Sequence, residues 1–114
     1  MSDSRDLEDH ALAFAALSHV TRLKTFRVLM AAGDEGLAAG LIAERLEMEP
    51  NFLTNHLVAL TRSGLVSSRR EGRKVIYKVE NEAVRDLMVT LVETCCDGRP
   101  DMCASLSPII ECAR

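Results

Sequence analysis

Cysteine is the residue type placed least randomly in this chain. All four cysteines, Cys95, Cys96, Cys103 and Cys112, fall in the last 20 of 114 residues. Thiolates bind soft metal ions and oxidise reversibly, whereas structural disulfides belong to oxidising compartments. The N-terminus, Met1-Ser2-Asp3-Ser4-Arg5-Asp6, lacks the basic start and apolar run of a secretory signal. No stretch approaches the ~18 apolar residues of a membrane span. The thiols are therefore expected in the reducing cytoplasm, with no membrane partner, doing metal or redox chemistry.

A second chemical feature is a block of positive charge. Residues 62–78 hold Arg62, Arg69, Arg70, Arg73, Lys74 and Lys78 against Glu71 alone, a local +5 in a chain of net charge −3. A net negative charge by itself argues against a nucleic-acid partner, but local potential is what a phosphate backbone meets. Catalysis is not expected. The chain has no glycine-rich phosphate loop, no G-x-S-x-G, no H-E-x-x-H, and no H-x-E followed by paired cysteines. His10 and His19 lack Cys, Asp or Glu partners at ligand spacing, so surface or capping roles are expected for them.

The elements that must position these groups follow from periodicity. With 27% charged and 47% apolar residues the chain should fold as one domain. Leu7, Ala11, Phe14 and Leu17 predict an amphipathic helix over 6–17. Leu23, Phe26, Arg27 and Met30 predict a second, ended by Gly33-Asp34-Glu35-Gly36. Leu37, Leu41, Ile42 and Leu46 predict a third over 37–46. After a tight turn, Pro50 opens a fourth, with Leu53, Leu57 and Leu60 facing inward and Gly64 ending it. Beyond Gly64 the period changes to about 2. Residues 65–70 and 74–79 then read as strands closed into a hairpin by Glu71-Gly72-Arg73. Val84, Leu87, Met88, Leu91, Val92 and Cys95 stripe a last helix, N-capped by Asn81 and stopping near Cys96 before Asp97-Gly98-Arg99-Pro100. The fold class expected is mainly α with a small β-hairpin, a winged helix-turn-helix.

In that architecture the second helix of the pair enters the DNA major groove. Its outward residues would be Asn51, Phe52, Thr54, Asn55, Val58, Ala59 and Arg62. Asn51 and Asn55, one turn apart, suit bidentate contacts to adenine, and Thr54 a base or a phosphate. His56 is expected at the helix boundary, bonded to backbone or phosphate. Arg69, Arg70, Arg73 and Lys74 of the hairpin would hold flanking phosphates or the minor groove, adding affinity and register more than sequence readout.

Three ordered motifs give these elements a family resemblance over about residues 7–95. Ala15-Ala16-Leu17-Ser18-His19-Val20-Thr21-Arg22-Leu23-Lys24 resembles the opening of the ArsR family of metal- and metalloid-responsive repressors. Leu53-Thr54-Asn55-His56-Leu57-x-x-Leu60-x-x-Ser63-Gly64-Leu65-Val66 is similar to its recognition helix. Arg69-Arg70-Glu71-Gly72-Arg73-Lys74-Val75-Ile76-Tyr77 resembles its wing. The resemblance implies a homodimer formed through the first and last helices, bound to operator DNA when empty and released by an inducer. A single recognition helix reads one half-site, which independently calls for a dimer.

Within that family the inducer follows from the ligands. The third helix has no Cys-x-Cys motif. The last helix carries Asp86 but no histidine follows His56, so the zinc-type site lacks its imidazoles. Cys95-Cys96-x6-Cys103 resembles the arsenite- and antimonite-responsive sites at the end of the last helix, implying trivalent arsenic or antimony held by three thiolates. Adjacent helical residues diverge by about 100°, so Cys95 and Cys96 converge only if the helix end unwinds. Cys112 is a spare thiol, a fourth ligand or tail packing. Two alternatives use the same cysteines, a redox or persulfide sensor and a zinc or cadmium site. Residues 1–96 would form the DNA-binding and dimerisation domain, and 97–114 a tail completing the inducer site.

Overall fold

The computed structural model describes residues 4–98 together with Asp101 and Ser105. In chain order its elements are α1 (Ser4–Leu17), α2 (Val20–Ala32), a 3-10 turn (Gly33–Glu35), β1 (Leu37–Ala38), α3 (Ala39–Arg45), α4 (Pro50–Arg62), β2 (Val66–Glu71), β3 (Lys74–Val79) and α5 (Asn81–Gly98). The strands form one antiparallel sheet in the order β1-β3-β2. This is the winged helix-turn-helix expected, with one strand more than the hairpin alone.

The core is aliphatic. Leu29 of α2, Ile42 of α3, and Leu53, Leu57 and Leu60 of α4 are buried with Leu65 and Val66 at the start of the wing. Leu53, Leu57 and Leu60 are spaced i, i+4, i+7, so α4 turns one stripe inward and leaves the opposite face free. Thr25 is the buried polar side chain among the described residues, and its hydroxyl donates to the Thr21 carbonyl at 2.8 Å.

The turn between α3 and α4 is fixed by backbone bonding. Met48 N–H reaches back to the Ala43 carbonyl at 2.9 Å and Glu47 N–H to Glu44 at 3.2 Å. Glu47 adopts a left-handed φ of 52°. These are the bonds of a Schellman motif, which stops α3 and sets the direction of α4. Pro50 then occupies the first turn of α4, where its missing N–H costs nothing.

Four expectations are corrected here. Residues 37–38 are not helical but pair as β1 with β3, Leu37 opposite Tyr77 and Ala38 opposite Ile76. Gly36 permits this, because a Cβ at that position would run into the Tyr77 carbonyl oxygen. Asn81 does not cap α5 with its side chain; its amide donates to Asp34 Oδ1 at 3.2 Å. Among the described side chains of α1, Ala13 and Ala16 are buried, while Leu7 and Phe14 of the expected stripe are exposed. Among the described side chains of the expected α5 stripe only Leu87 is buried, Met88 and Leu91 are exposed, and the helix runs through Gly98, past Cys96. Both helices thus turn small residues or a short segment to the core and larger apolar residues outward.

Candidate nucleic-acid interface and thiol segment

α4 exposes Asn51, Phe52, Thr54, Asn55, Val58 and Arg62 along one side, as its inward leucine stripe requires. Ala59, expected on this face, is only half-exposed. Neither α4 nor α2, which packs against it, contains an aspartate or glutamate. In a protein with 17 acids this leaves a two-helix surface free of carboxylates that would repel phosphate.

The residues on that surface differ in what they can offer DNA. Asn51 and Asn55 each carry a donor and an acceptor, the pair a bidentate adenine contact uses. Thr54 Oγ1 donates to the Pro50 carbonyl at 3.0 Å, so its hydroxyl presents an acceptor outward. That suits a base amino group; a phosphate, which has only acceptors, gains nothing from it. Phe52 is 56% exposed, an apolar surface at the start of the helix suited to a thymine methyl.

His56 lies half-buried between two rings. Its centroid is 5.3 Å from Phe52, edge-on, and 4.6 Å from His19, tilted. Burial first, then the charges of His19 and Arg22, hold its imidazole below the ordinary value. His19 caps α2, its Nδ1 accepting from Thr21 N–H at 3.1 Å, the capping role expected from sequence. Arg22 Nε is buried without a hydrogen-bond partner. Sequence reasoning placed His56 near DNA but did not connect it to Arg22, whose charge reaches His56 only once α2 packs on α4.

The wing splits its cations into two groups. Arg69 donates through Nη2 to the Glu35 carbonyl at 2.9 Å and pairs with Glu71 at 3.4 Å. It is thereby drawn back to the 3-10 turn, although sequence reasoning grouped it with the phosphate contacts. Arg70 alternates to the other face of the strand. Arg70, Arg73 and Lys74 are exposed around the two-residue turn, where Gly72 takes φ 63° and Glu71 pairs with Lys74. Ser67 donates to Glu80, tying the base of the wing to the start of α5.

The cysteine segment is defined less fully. Cys95 and Cys96 lie on the helical backbone of α5, where consecutive residues diverge by about 100°. Their side chains, and Cys103 and Cys112 entirely, lie outside the described residues, as does most of the proposed tail 97–114. Among the described residues no group of three His, Cys, Asp or Glu side chains can hold a metal ion, and no helix is long and apolar enough to cross a membrane.

Residues 17–69 match the family described as a helix-turn-helix domain. The HTH-type transcriptional regulator YgaV of Escherichia coli strain K12 is 29% identical over 89 residues, spanning 78% of this chain and 88% of its own. An ArsR-like transcriptional regulator from Rhodococcus sp. RHA1 is 27% identical with a TM-score of 0.73, over 90% of this chain and 93% of that one. The homodimeric winged helix-turn-helix DNA-binding domain of Mb0332 from Mycobacterium bovis is 28% identical with a TM-score of 0.65, also over 90% and 93%. The chain thus carries a helix-turn-helix domain and is similar in sequence and fold to winged helix-turn-helix transcriptional regulators, ArsR-like ones among them.

Proposed function

We propose that the protein is a homodimeric cytoplasmic repressor that binds operator DNA through α4 and the β2–β3 wing and releases it on binding trivalent arsenic or antimony. The observation that carries the DNA reading is the carboxylate-free face of α4, beside a wing tip carrying Arg70, Arg73 and Lys74. Dimerisation is supported by the apolar residues that α1 and α5 leave in solvent. Leu7, Leu12 and Phe14 lie on the first helix, and Met88, Val89 and Leu91 on the last. His10 Nδ1 lies 3.2 Å from Thr90 Oγ1, so the two helices are neighbours. A second copy covering them would set two recognition helices for half-sites about 34 Å apart.

The sensing reading rests on Cys95, Cys96 and Cys103. Arsenous acid would exchange its three hydroxyls for three thiolates, the thiol protons leaving as three waters. Soft trivalent centres favour sulfur. Because Cys95 and Cys96 diverge on a regular helix, joint ligation requires the end of α5 to reshape. Release of DNA then requires the reshaped state to bind the metalloid better than the DNA-bound state does.

The deciding experiment selects a duplex from a random pool, then titrates the reduced complex with arsenite, antimonite, zinc, cadmium and peroxide. Arsenite or antimonite is expected to release DNA at the lowest concentration, and Cys96→Ser to abolish that release while leaving DNA affinity intact. Release by zinc or cadmium first, or by peroxide alone, overturns the metalloid reading. Arg70→Ala with Arg73→Ala is expected to weaken binding and to lower the salt slope by about two. An unchanged slope would remove the wing from the interface.

A further inference from the structure

The group formed by His19, Arg22 and His56 is not accounted for by base reading or by sensing. It lies where the N-terminus of α2 meets the flank of α4, in a row of rings running from the exposed Phe52 through the half-buried His56 to His19. Arg22 Nε is buried with no partner, a costly arrangement for a guanidinium unless something is to be bound. His19 accepts at Nδ1 from Thr21, which leaves its ring hydrogen on Nε2, free to donate. His56 lies against that ring, tilted by 41° with the centroids 4.6 Å apart.

The charged groups on the packed elements favour an anion. α2 contributes Arg22, Lys24 and Arg27 after its His19 cap, and α4 contributes His56 and Arg62. The acids on neighbouring elements are Asp6, Glu8 and Asp9 of α1, Asp34 and Glu35 of the 3-10 turn, Glu44 of α3 and Glu71 of β2. None of them is among the groups that shift His56; the charges that do are those of His19 and Arg22.

We infer that His19, Arg22 and His56 form a proton-linked clamp for a DNA backbone phosphate beside the recognition helix, so that duplex affinity rises as pH falls. The inference rests on the DNA-binding reading above and deepens it. In the free protein, burial first, then the neighbouring His19 and Arg22, disfavour the His56 imidazolium. A phosphate set among the three groups supplies the missing counter-charge and an acceptor for each. His56 then takes up a proton on binding, and the linkage limit is about tenfold in affinity per pH unit for each protomer. Phosphate contacts carry no sequence information, so the effect extends to any duplex.

The test measures binding of a fixed random-sequence 30-base-pair duplex between pH 8 and pH 6 at constant salt. Variants are His56→Gln, His19→Asn (which keeps a capping side chain) and His10→Gln on α1. Circular dichroism verifies that each is folded. The wild type and His10→Gln are expected to bind several-fold more tightly per unit fall in pH. His56→Gln is expected to lose that dependence, and His19→Asn to bind more weakly at every pH. Arg70→Ala with Arg73→Ala should bind less well but keep the wild-type dependence. A His56→Gln protein that retains the dependence, or a His10→Gln protein that loses it, overturns the clamp. Absence of duplex binding at every pH would instead overturn the DNA reading itself.

Discussion

Glu47 and His56 are each held in a state their residue type does not favour. Glu47 is left-handed at the C-terminus of α3, where the Schellman bonds demand a conformation glycine adopts freely. Glu47→Gly is expected to raise stability by about 0.5–1 kcal/mol, read as a shift in urea midpoint, the relieved backbone strain exceeding the entropy glycine loses. For His56 the sign runs the other way. Its folded imidazole binds a proton less readily than an ordinary one, so the unfolded chain protonates first as pH falls. Stability is therefore complete above the ordinary histidine value and declines as pH drops through it, until the folded imidazole protonates too. The melting temperature should fall more between pH 7.5 and 5.5 in the wild type than in His56→Gln; equal falls would exclude His56 as the cause. The position of His56 on α4 was legible from spacing, but its ring contact with His19 joins residues 37 apart and leaves no trace in local pattern.

Among the elements, α4 was the most legible and β1 the least. Leu53, Leu57 and Leu60 name the buried side of a 13-residue helix without help from the rest of the chain. Two residues of strand carry no period, and Leu37 fits a helical stripe with Leu41 equally well. What decides is Gly36, whose φ of 72° and ψ of −170° are open almost only to glycine, and whose missing side chain lets β1 approach Tyr77. Gly36→Ala is expected to cost about 2–3 kcal/mol. Gly40→Ala, with open space around its Cβ and a helical backbone, should instead be neutral or stabilise by up to about 1 kcal/mol. Denaturant unfolding of the two variants separates a backbone-approach requirement from a general glycine effect. The same 3-10 turn accepts from Asn81 at Asp34 and from Arg69 at the Glu35 carbonyl, so it joins the start of α5 to the wing within one subunit.

For the molecule as a whole, acidic charge is unevenly placed, whereas apolar residues are exposed on the terminal helices and on α2 and α4 alike. Carboxylates are excluded from α2 and α4, and the largest exposed apolar residues include Leu12 and Leu91 on the terminal helices. The charge division was visible in the sequence once the chain was counted in segments. The apolar exposure was visible only in part: periodicity marks a stripe but not whether the protein's own core or another surface covers it. Leu91→Asp is expected to shift the protein toward monomer in sedimentation velocity and to weaken duplex binding with it. Leu41→Asp, on an exposed position of α3, should leave the mass unchanged. Two variants of equal mass would remove α5 from the interface.

Leu87 is the last described residue of the core, and the described side chains beyond it are half-buried or exposed. Among the described side chains that follow on α5 none joins the buried core, and Thr90 meets His10 of α1 at 3.2 Å. Substitutions at the exposed described positions of that segment, such as Val89 and Glu93, should carry little folding penalty, so on the proposed reading its chemistry can change while the recognition helix stays as it is. Exchanging the sequence after Leu87 between relatives should accordingly transfer inducer choice without transferring DNA sequence preference.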